Sequence, residues 1–354
     1  MLGKRRHRHS GGASSFGFGQ AVRASKRRAV WRLRSLPPSA GAIGSDGVAE
    51  LAVARKAIDA TGFFLSSAPE EIQITRLGGL TNLVYRVDTL GKSYVLRLPG
   101  KGTEEYINRH HESVAAKAAS AAGVSPEVVL FDDAAGLMVS EFVEAMTMTP
   151  ELFRSIAGAP TRAALAFKKL HTSGAQFANR FELFNMIDGY LKILSTKTVA
   201  FPAGYHDVLK EAEGVRAALA ARRLPLVACH CDPLCENFLD TGNRMWIVDW
   251  EYSGMNDPLW DLGDLAVEGS FDGGQEEEML RAYFGREPSP AERGRVVIYK
   301  ALCDLLWTLW GLIQLANGNP ADDFRKYADT RFARCKALIG DARFKGHVAA
   351  VADG

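Results

Sequence analysis

Acidic and amide side chains are concentrated in one short stretch of the chain, between short apolar segments. His230 and Asp232 come first, Asn237 follows five residues after Asp232, and Asp249 and Glu251 close a short predicted hairpin. Phosphoryl transfer needs side chains of these kinds, because its catalysis consists mainly of positioning the reactants and neutralising charge. The spacing therefore indicates a site for moving a phosphoryl group.

Each of these side chains suits one part of that chemistry. Asp232 can orient an attacking hydroxyl and accept its proton. Asn237 and Asp249 offer the hard oxygen ligands that Mg²⁺ prefers, and Glu251 can assist a second ion or its waters. His230 is expected to brace the loop through hydrogen bonds. A surface hairpin with scattered acids is the alternative, and the apolar strand before Asp249 argues against it.

The order and spacing of these residues resemble those of a known superfamily. The chain has the pattern His-x-Asp-x-x-x-x-Asn, followed about a dozen residues later by Ile-x-Asp-x-Glu. This is similar to the aminoglycoside phosphotransferase and choline kinase superfamily, whose members are distant relatives of protein kinases. The resemblance implies an α+β, two-lobed protein-kinase-like fold with a small antiparallel-sheet N-lobe and a larger, mostly helical C-lobe. It also implies ATP and Mg²⁺ as cofactors.

A glycine-containing loop between two predicted strands fits a place for the ATP phosphates. Glycines let backbone amides approach phosphate oxygens closely, although a Gly-Gly pair is usually only a hairpin turn. The residues that the resemblance implies for this contact are Gly78, Gly79, Thr81 and Asn82.

Two charged residues strengthen this interpretation. Arg97 lies on the third predicted strand and Glu112 on the helix that follows, where protein kinases place a Lys–Glu pair on the phosphates. The cation is an arginine here, as in choline kinases, and solvated surface charges are the alternative. The resemblance further places adenine against the linker after the fifth strand, near Glu141 and Val143.

Aromatic residues in the second half of the chain predict the substrate. Trp307 and Trp310 lie at positions i and i+3 of a predicted helix, so both indoles face the same side. Two such rings can enclose a quaternary ammonium through cation–π contacts, although packing in a hydrophobic core is the alternative. The resemblance to choline kinases adds Tyr252 and Tyr327 to this aromatic group. Asp261 is a further residue of the resemblance. It implies phosphorylation of the hydroxyl of choline, or of ethanolamine, with phosphocholine as the product from choline.

Other functions remain compatible with the sequence. A kinase of aminoglycosides or other amino sugars would use the same catalytic residues, and thiamine would also suit an aromatic enclosure. Ethanolamine would favour carboxylates such as Asp304 or Asp257 over aromatic rings. A non-catalytic nucleotide-binding module is less compatible, because the predicted catalytic and metal-binding residues are all present. A zinc site at the cysteines around His230 is disfavoured, since structural zinc sites usually combine two ligand clusters at defined spacing.

Two groups of predicted elements must position these residues. Alternation of apolar and polar residues predicts five strands and one inserted helix in the first group. Helical periodicity dominates after Thr149, apart from three short extended segments around the catalytic stretch. The predicted division is a basic, disordered segment (residues 1–46), a nucleotide-binding lobe (47–143) and a catalytic and substrate-binding lobe (144–354).

The net charge of +2 conceals an uneven distribution. Residues 1–45 carry ten of the 43 basic and none of the 41 acidic residues, so the remaining 33 basic and 41 acidic residues give −8. A solvated tail is the expected role of this Gly-, Ser- and Arg-rich segment, with an organellar transit peptide as the alternative.

The composition also limits the partners. A basic face for nucleic acid would have to lie in the N-terminal segment, so the folded part is not expected to bind nucleic acid. The sequence has no run of about 18 apolar residues, so no membrane span is predicted. Five unevenly placed cysteines fit a reducing cytoplasm. A small amino-alcohol is the expected partner, and a homodimer stays open.

Overall fold

The computed structural model describes residues 45–64, 67–78, 82–100, 102–103 and 107–354. The predicted disordered segment, residues 1–46, lies almost wholly outside the described residues. The two predicted lobe boundaries, before residues 47 and 144, stay predictions.

A five-stranded antiparallel sheet forms the first lobe. The strands are β1 (Gln73–Gly78), β2 (Leu83–Thr89), β3 (Lys92–Leu98), β4 (Val128–Asp132) and β5 (Leu137–Glu141), in the spatial order β1-β2-β3-β5-β4. Alternate side chains of the strands, among them Tyr85, Val87 and Leu96, are buried in one core with residues of helix α1 (Ser45–Thr61). The five predicted strands are confirmed, because their alternating pattern matches one buried face.

Helix α2 (Arg109–Ala121) carries the predicted Glu112. It begins where the Asn108 side chain accepts a hydrogen bond from the backbone amide of His111, which satisfies one free donor of the first turn. Ala115, Ala116 and Ala119 of α2 are buried in the same core as the helices of the second lobe. Because Glu112 lies one turn before Ala116, it is held where α2 meets that lobe.

Nine helices of the second lobe are described. They are α3 (Pro150–Ser155), α4 (Ala159–His171), α5 (Leu183–Leu194), α6 (Tyr205–Ala221), α7 (Leu259–Glu268), α8 (Gly273–Phe284), α9 (Pro290–Ala316), α10 (Phe324–Ile339) and α11 (Phe344–Asp353). Capping boxes of Asp272 with Gln275 and of Ser289 with Glu292 begin α8 and α9. Helix α9 is 27 residues long and buried over most of its length, so it is the central helix of this lobe.

Two small sheets hold the segment that contains the predicted catalytic residues. Strand β7 (Val227–Cys229) pairs with β10 (Gly254–Asn256), and β6 (Met146–Thr147) pairs with β8 (Phe238–Asp240), which pairs with β9 (Met245–Ile247). Strand β7 ends directly before His230, and the β8–β9 hairpin separates Asn237 from Asp249. These short strands therefore position the backbone next to each predicted catalytic residue.

Four elements are not evident from the sequence patterns. They are helices α7 and α11 and strands β6 and β10. Helix α7 follows Pro258 and contains Gly263, which weakens its helical signal. Strands β6 and β10 are two and three residues long, and they exist through pairing with distant segments, which local patterns do not reveal.

Helix α9 also bears on the membrane prediction. Among the described residues it alone has the length and apolar composition needed to cross a membrane, and 89% of that apolar window is buried inside the protein. This burial is typical of a core helix.

Candidate active site

The loop after β7 is held by one carboxylate. Asp261 of α7 accepts hydrogen bonds from the backbone amides of His230 and Cys231, each at 2.8 Å. The same carboxylate lies 3.0 Å from Nε2 of the buried His171. Cys231 has a φ of 68°, which is unfavourable for a non-glycine residue. The two hydrogen bonds to Asp261 stabilise this turn, which leads directly into Asp232.

The His230 side chain links this loop to the second acidic segment. Its Nε2 donates to the backbone carbonyl of Val248 at 2.9 Å, and its ring packs edge-on against Trp250, with 4.8 Å between the ring centroids. Burial lowers the pKa of His230, which favours the neutral imidazole. His230 therefore contacts the backbone that precedes Asp249.

Asp232 precedes a short 3₁₀ helix (Cys235–Asn237), and Asn237 is the last residue of that helix. Nδ2 of Asn237 donates to the backbone carbonyl of Asp232 at 3.0 Å, and the Asn237 carbonyl accepts from the amide of Val248 at 2.9 Å. Burial raises the pKa of Asp232 well above its usual range, and the charges of Asp264 and Asp249 raise it further. Asp249 and Asp264 belong to two different groups of acidic residues, and the charges of both act on Asp232.

The first acidic group joins the two lobes. Arg97 of β3 forms a buried ion pair with Glu112 of α2. Nη1 of Arg109 lies 2.7 Å from Glu112 and 3.2 Å from Glu251. Glu251 also accepts a hydrogen bond from Nδ2 of Asn82 at 3.0 Å. The predicted Arg97, Glu112, Asn82 and Glu251 are thus brought together by tertiary contacts.

Asp249 completes this group. One oxygen each of Glu112, Asp249 and Glu251 can be chosen so that all three lie within 4.8 Å of one another. Oδ1 of Asp249 is buried without a hydrogen-bond partner. Burial raises the pKa of Asp249, and the charge of Glu251 raises it further. Arg97 and Arg109 pair with Glu112 and Glu251, whereas Asp249 keeps an oxygen without a hydrogen-bond partner, so this oxygen-rich group fits a divalent cation.

The other predicted nucleotide-binding residues are only partly described. Strand β1 ends at Gly78, whereas Gly79 and Thr81 lie outside the described residues. The Glu141 amide donates to the carbonyl of Glu127 at 2.9 Å. Glu141 ends β5, and the partly buried Val143 follows it in the segment between the lobes.

The four predicted substrate-binding aromatic residues form a continuous row. The ring centroid of Trp307 lies 5.2 Å from that of Tyr252, with an interplanar angle of 82°. It lies 6.5 Å from the ring centroid of Trp310, with an interplanar angle of 89°. Trp310 lies 5.5 Å from Tyr327 at 61°. Rings at steep angles to one another can form the walls of an enclosure, whereas parallel stacking would not. We call these four residues the aromatic row.

A second acidic group lies beside the aromatic row. Asp264 accepts a hydrogen bond from Sγ of Cys303 at 2.9 Å and lies 3.5 Å from Nε1 of Trp307. Glu268 forms an ion pair of 2.5 Å with the buried Arg331. Burial raises the pKa of Tyr327, and the nearby charges of Glu268 and Asp232 raise it further. The charge of Asp232, the predicted base, therefore acts on Tyr327 of the row.

The carboxylates considered for a primary ammonium are already engaged. Asp304 lies 3.3 Å from Arg331 and 2.6 Å from Arg334. Asp257 pairs with Arg295 at 2.5 Å and accepts a hydrogen bond from Tyr299 at 2.9 Å. Both are therefore neutralised within the protein.

Sequence reasoning missed several residues of this site. They are Arg109, Asp264, Glu268 and Arg331, and Asp261 was noted only through the resemblance. Asp261, Asp264 and Glu268 lie at positions i, i+3 and i+7, so an acidic face of one helix was a signal that could have been found. It was not used because α7 itself was not predicted.

The cysteines do not support a zinc site. All five described cysteines are buried and free. The metal-binding groups recognised among the described residues contain at most one cysteine each: Cys229 with His171 and Asp261, and Cys303 with Asp264 and Glu268.

A two-lobed α+β fold with an Arg–Glu pair in the first lobe and an Asp, Asn and Asp series in the second defines a class. The protein is a kinase-like phosphotransferase.

The family follows from the comparisons. A profile of the choline/ethanolamine kinase family matches residues 74–281. The chain is 64% identical to a choline/ethanolamine kinase family protein from Mesorhizobium loti, whose crystal structure has a TM-score of 0.75 and covers 84% of this chain and 99% of its own. The chain therefore belongs to the choline/ethanolamine kinase family, and it is a kinase.

More distant relatives differ in their named substrates. The choline kinase LicA from Streptococcus pneumoniae is 30% identical, with a TM-score of 0.69 over 81% of this chain and 99% of its own. A LicA structure in complex with AMP is 29% identical, with a TM-score of 0.66 over 85% of this chain and 98% of its own. A probable ethanolamine kinase from Arabidopsis thaliana is 28% identical over 271 residues, which cover 67% of this chain and 71% of that protein.

We expect Asp261→Asn to lower kcat by about 100-fold, because the catalytic loop would shift. Oδ1 accepts from Cys231, whereas Oδ2 accepts from His230 and faces His171. An amide would turn one of these acceptors into a donor that faces another donor, at a cost of about 1–3 kcal/mol in folding free energy. Steady-state kinetics and thermal denaturation measure both effects.

The matched control is Asp59→Asn, which makes the same exchange at an exposed residue of α1 and should change neither quantity much. An unaltered kcat in Asp261→Asn would show that the loop does not depend on this carboxylate.

Proposed function

We propose that this kinase transfers the γ-phosphoryl group of ATP to the hydroxyl of choline, which gives phosphocholine and ADP. The observations that support the proposal are the four aromatic rings in mutual contact and the charges of Asp249 and Asp264 that act on Asp232. Asp249 belongs to the acidic group that fits a cation, and Asp264 lies against Trp307 of the aromatic row. A hydroxyl attached to a cationic head group can then lie between this acidic group and the row.

The first lobe supplies the nucleotide site in this proposal. Arg97, held by Glu112, offers a positive charge to the phosphates, and Gly78 and Asn82 are proposed to contact them. Gly79 and Thr81, which lie outside the described residues, are proposed to contact the phosphates through their backbone. Adenine is proposed to lie against the segment of Glu141 and Val143, where backbone groups can recognise its edge.

The second lobe supplies the metal ligands. Asn237 and Asp249 would hold Mg²⁺, and Glu251 would assist a second ion or its waters. The buried Asp249 oxygen without a hydrogen-bond partner and the oxygen-rich donor set fit this ion. Bound Mg²⁺ supplies neutralisation of charge on the phosphates. Arg97 and Arg109 would balance the remaining negative charge of Glu112 and Glu251.

Asp232 is the proposed catalytic base. Its acidic neighbours raise its pKa, which increases its affinity for a proton, and a base of this kind suits the removal of a hydroxyl proton. His230 and Asp261 fix the backbone on either side of Asp232, so they act as positioning residues.

The aromatic row favours choline over ethanolamine. A trimethylammonium group has no N–H donors, and it gains cation–π energy of about 0.5–2 kcal/mol from each suitable ring. A primary ammonium needs several hydrogen-bond acceptors, whereas Asp257 and Asp304 are already neutralised by arginines. Glu268 is likewise paired with Arg331, so Asp264, which lies against Trp307, is the carboxylate near the row whose charge suits a quaternary cation.

The proposed compartment is the cytoplasm. Reducing conditions there would keep the five buried cysteines as thiols, in which form the structure has them.

A coupled ADP-release assay with Mg²⁺-ATP tests the proposal, with choline, ethanolamine, thiamine and kanamycin as acceptors. We expect turnover of choline at about 1–100 per second, the usual range of kinases. Preference for ethanolamine would contradict the argument from the aromatic row, and turnover of kanamycin alone would indicate an amino-sugar kinase. Preference for thiamine would keep the aromatic enclosure and overturn choline as its occupant.

We expect Asp232→Asn to lower kcat by about 10²–10⁴-fold, the usual contribution of a general base. The Michaelis constants for ATP and choline should change little, because the amide has nearly the same size as the carboxylate. Near-wild-type turnover in this variant would show that another group accepts the proton.

Substitutions of Trp307 test the aromatic row. Trp307→Leu keeps an apolar side chain and removes the ring, so we expect KM for choline to rise about 3- to 30-fold with KM for ATP unchanged. Trp307→Phe keeps a ring and should lie between wild type and the leucine variant. An equal rise of KM for choline in both variants would show that the ring of residue 307 contributes no cation–π energy to choline binding.

The uncharged carbon isostere of choline, 3,3-dimethylbutan-1-ol, separates charge from shape in the same assay. Wild type should use it far less well than choline, and Trp307→Leu should reduce this difference.

A further inference from the structure

The ring of Tyr327 lies directly against the backbone of helix α9. A Cβ atom built on Gly311 would lie 2.6 Å from Cδ1 and 3.2 Å from Cε1 of this ring. The first distance is much shorter than a van der Waals contact between carbon atoms. Tyr327 can therefore take its place in the aromatic row only because residue 311 has no side chain.

The choice of glycine at this position has no local explanation. Gly311 lies in the interior of α9, where glycine is less favourable than alanine because of its backbone entropy. Helix α9 continues past Gly311 to Ala316, and the φ of Gly311 is not positive, so no turn requires a glycine there. The close approach of Tyr327 supplies the steric reason.

The Tyr327 ring has little freedom to move aside. The guanidinium of Arg331 lies 4.6 Å from the ring centroid, and the charged group of Arg331 is itself held by Glu268 and Asp304. The ring of Trp310 contacts Tyr327 from another direction. An added methyl group on residue 311 would therefore move the ring away from α9 and change the angle between the rings of the row.

We infer that Gly311 determines head-group specificity, because it lets Tyr327 lie against α9 and so fixes the size and shape of the enclosure formed by the aromatic row. Gly311 is a positioning residue that acts through Tyr327. This inference rests on the proposed function, since it needs a cationic head group beside the row.

The test is Gly311→Ala, measured with choline, ethanolamine and ATP. We expect KM for choline to rise about tenfold, which corresponds to about 1.4 kcal/mol and lies within the range of one cation–π contact. KM for ATP should stay unchanged. Ethanolamine has a smaller head group, so its binding depends less on contact with each ring of the aromatic row. The ratio of kcat/KM for choline to that for ethanolamine should therefore fall.

Two other glycines provide matched controls. Gly214 lies in α6, and a Cβ there would meet nothing within 4 Å, so Gly214→Ala adds the same methyl group without a clash. Gly294 lies in α9 like Gly311, and its Cβ would lie 2.7 Å from the carbonyl oxygen of His347. It is 17 residues away, about 25 Å along the helix. Gly294→Ala should lower Tm and leave the substrate ratio unchanged.

A double-mutant cycle identifies the route of the effect. If Gly311 acts through the ring, Gly311→Ala should add nothing to the change in KM for choline in a Tyr327→Ala background. Additive effects would overturn the inference, as would an unchanged substrate ratio in Gly311→Ala alone.

The cycle also decides the case in which Gly311→Ala does not fold. Recovery of folded protein in the double variant, with a lowered choline-to-ethanolamine ratio in Tyr327→Ala, would support the inference. Failure of the double variant to fold would overturn it. Turnover of choline by the wild type separates this inference from the proposed function: an inactive wild type overturns both, whereas an active wild type with an insensitive Gly311 overturns only the inference.

Discussion

The hydrogen bonds from the backbone of His230 and Cys231 to Asp261 are the contacts on which the site depends. They hold a loop whose Cys231 has an unfavourable left-handed backbone conformation. Asp232 follows directly, and His230 extends the same support to the carbonyl of Val248. One carboxylate on α7 therefore holds the backbone before Asp232 directly and the backbone before Asp249 through His230.

The distribution of charge around Asp232 follows from this placement. Glu112, Asp249 and Glu251 form one acidic group with Arg97 and Arg109. Asp264 lies against Trp307, and Glu268 pairs with Arg331. Buried carboxylates in such numbers are unfavourable unless cations accompany them. The arginines neutralise part of the charge, and the remainder suits the divalent ion and the cationic head group that we propose as ligands.

The aromatic row shows how helix packing converts a common pattern into a specific one. Two tryptophans at i and i+3 occur in many hydrophobic cores, and both indoles here are largely buried. Their interplanar angle of 89° and the steep angles to Tyr252 and Tyr327 come from contacts with α10 and with the segment after β9. The approach of α10 in turn depends on Gly311, where a side chain would collide with Tyr327.

The sequence by itself determined the five strands of the first lobe and most helices of the second, and its motif predicts Asp232, Asn237 and Asp249 as site residues. These features are local, because strand alternation, helical periodicity and motif spacing are written in short segments. Only the tertiary structure decided that Arg109 joins Glu112 to Glu251, that Asp261 holds the catalytic loop, and that Arg331 pairs with Glu268. Each of these contacts joins residues from separate elements or depends on an unpredicted helix, and a carboxylate or guanidinium has no local preference that names its partner. The packing of α7, α9 and α10 around one core brings those partners within hydrogen-bonding distance.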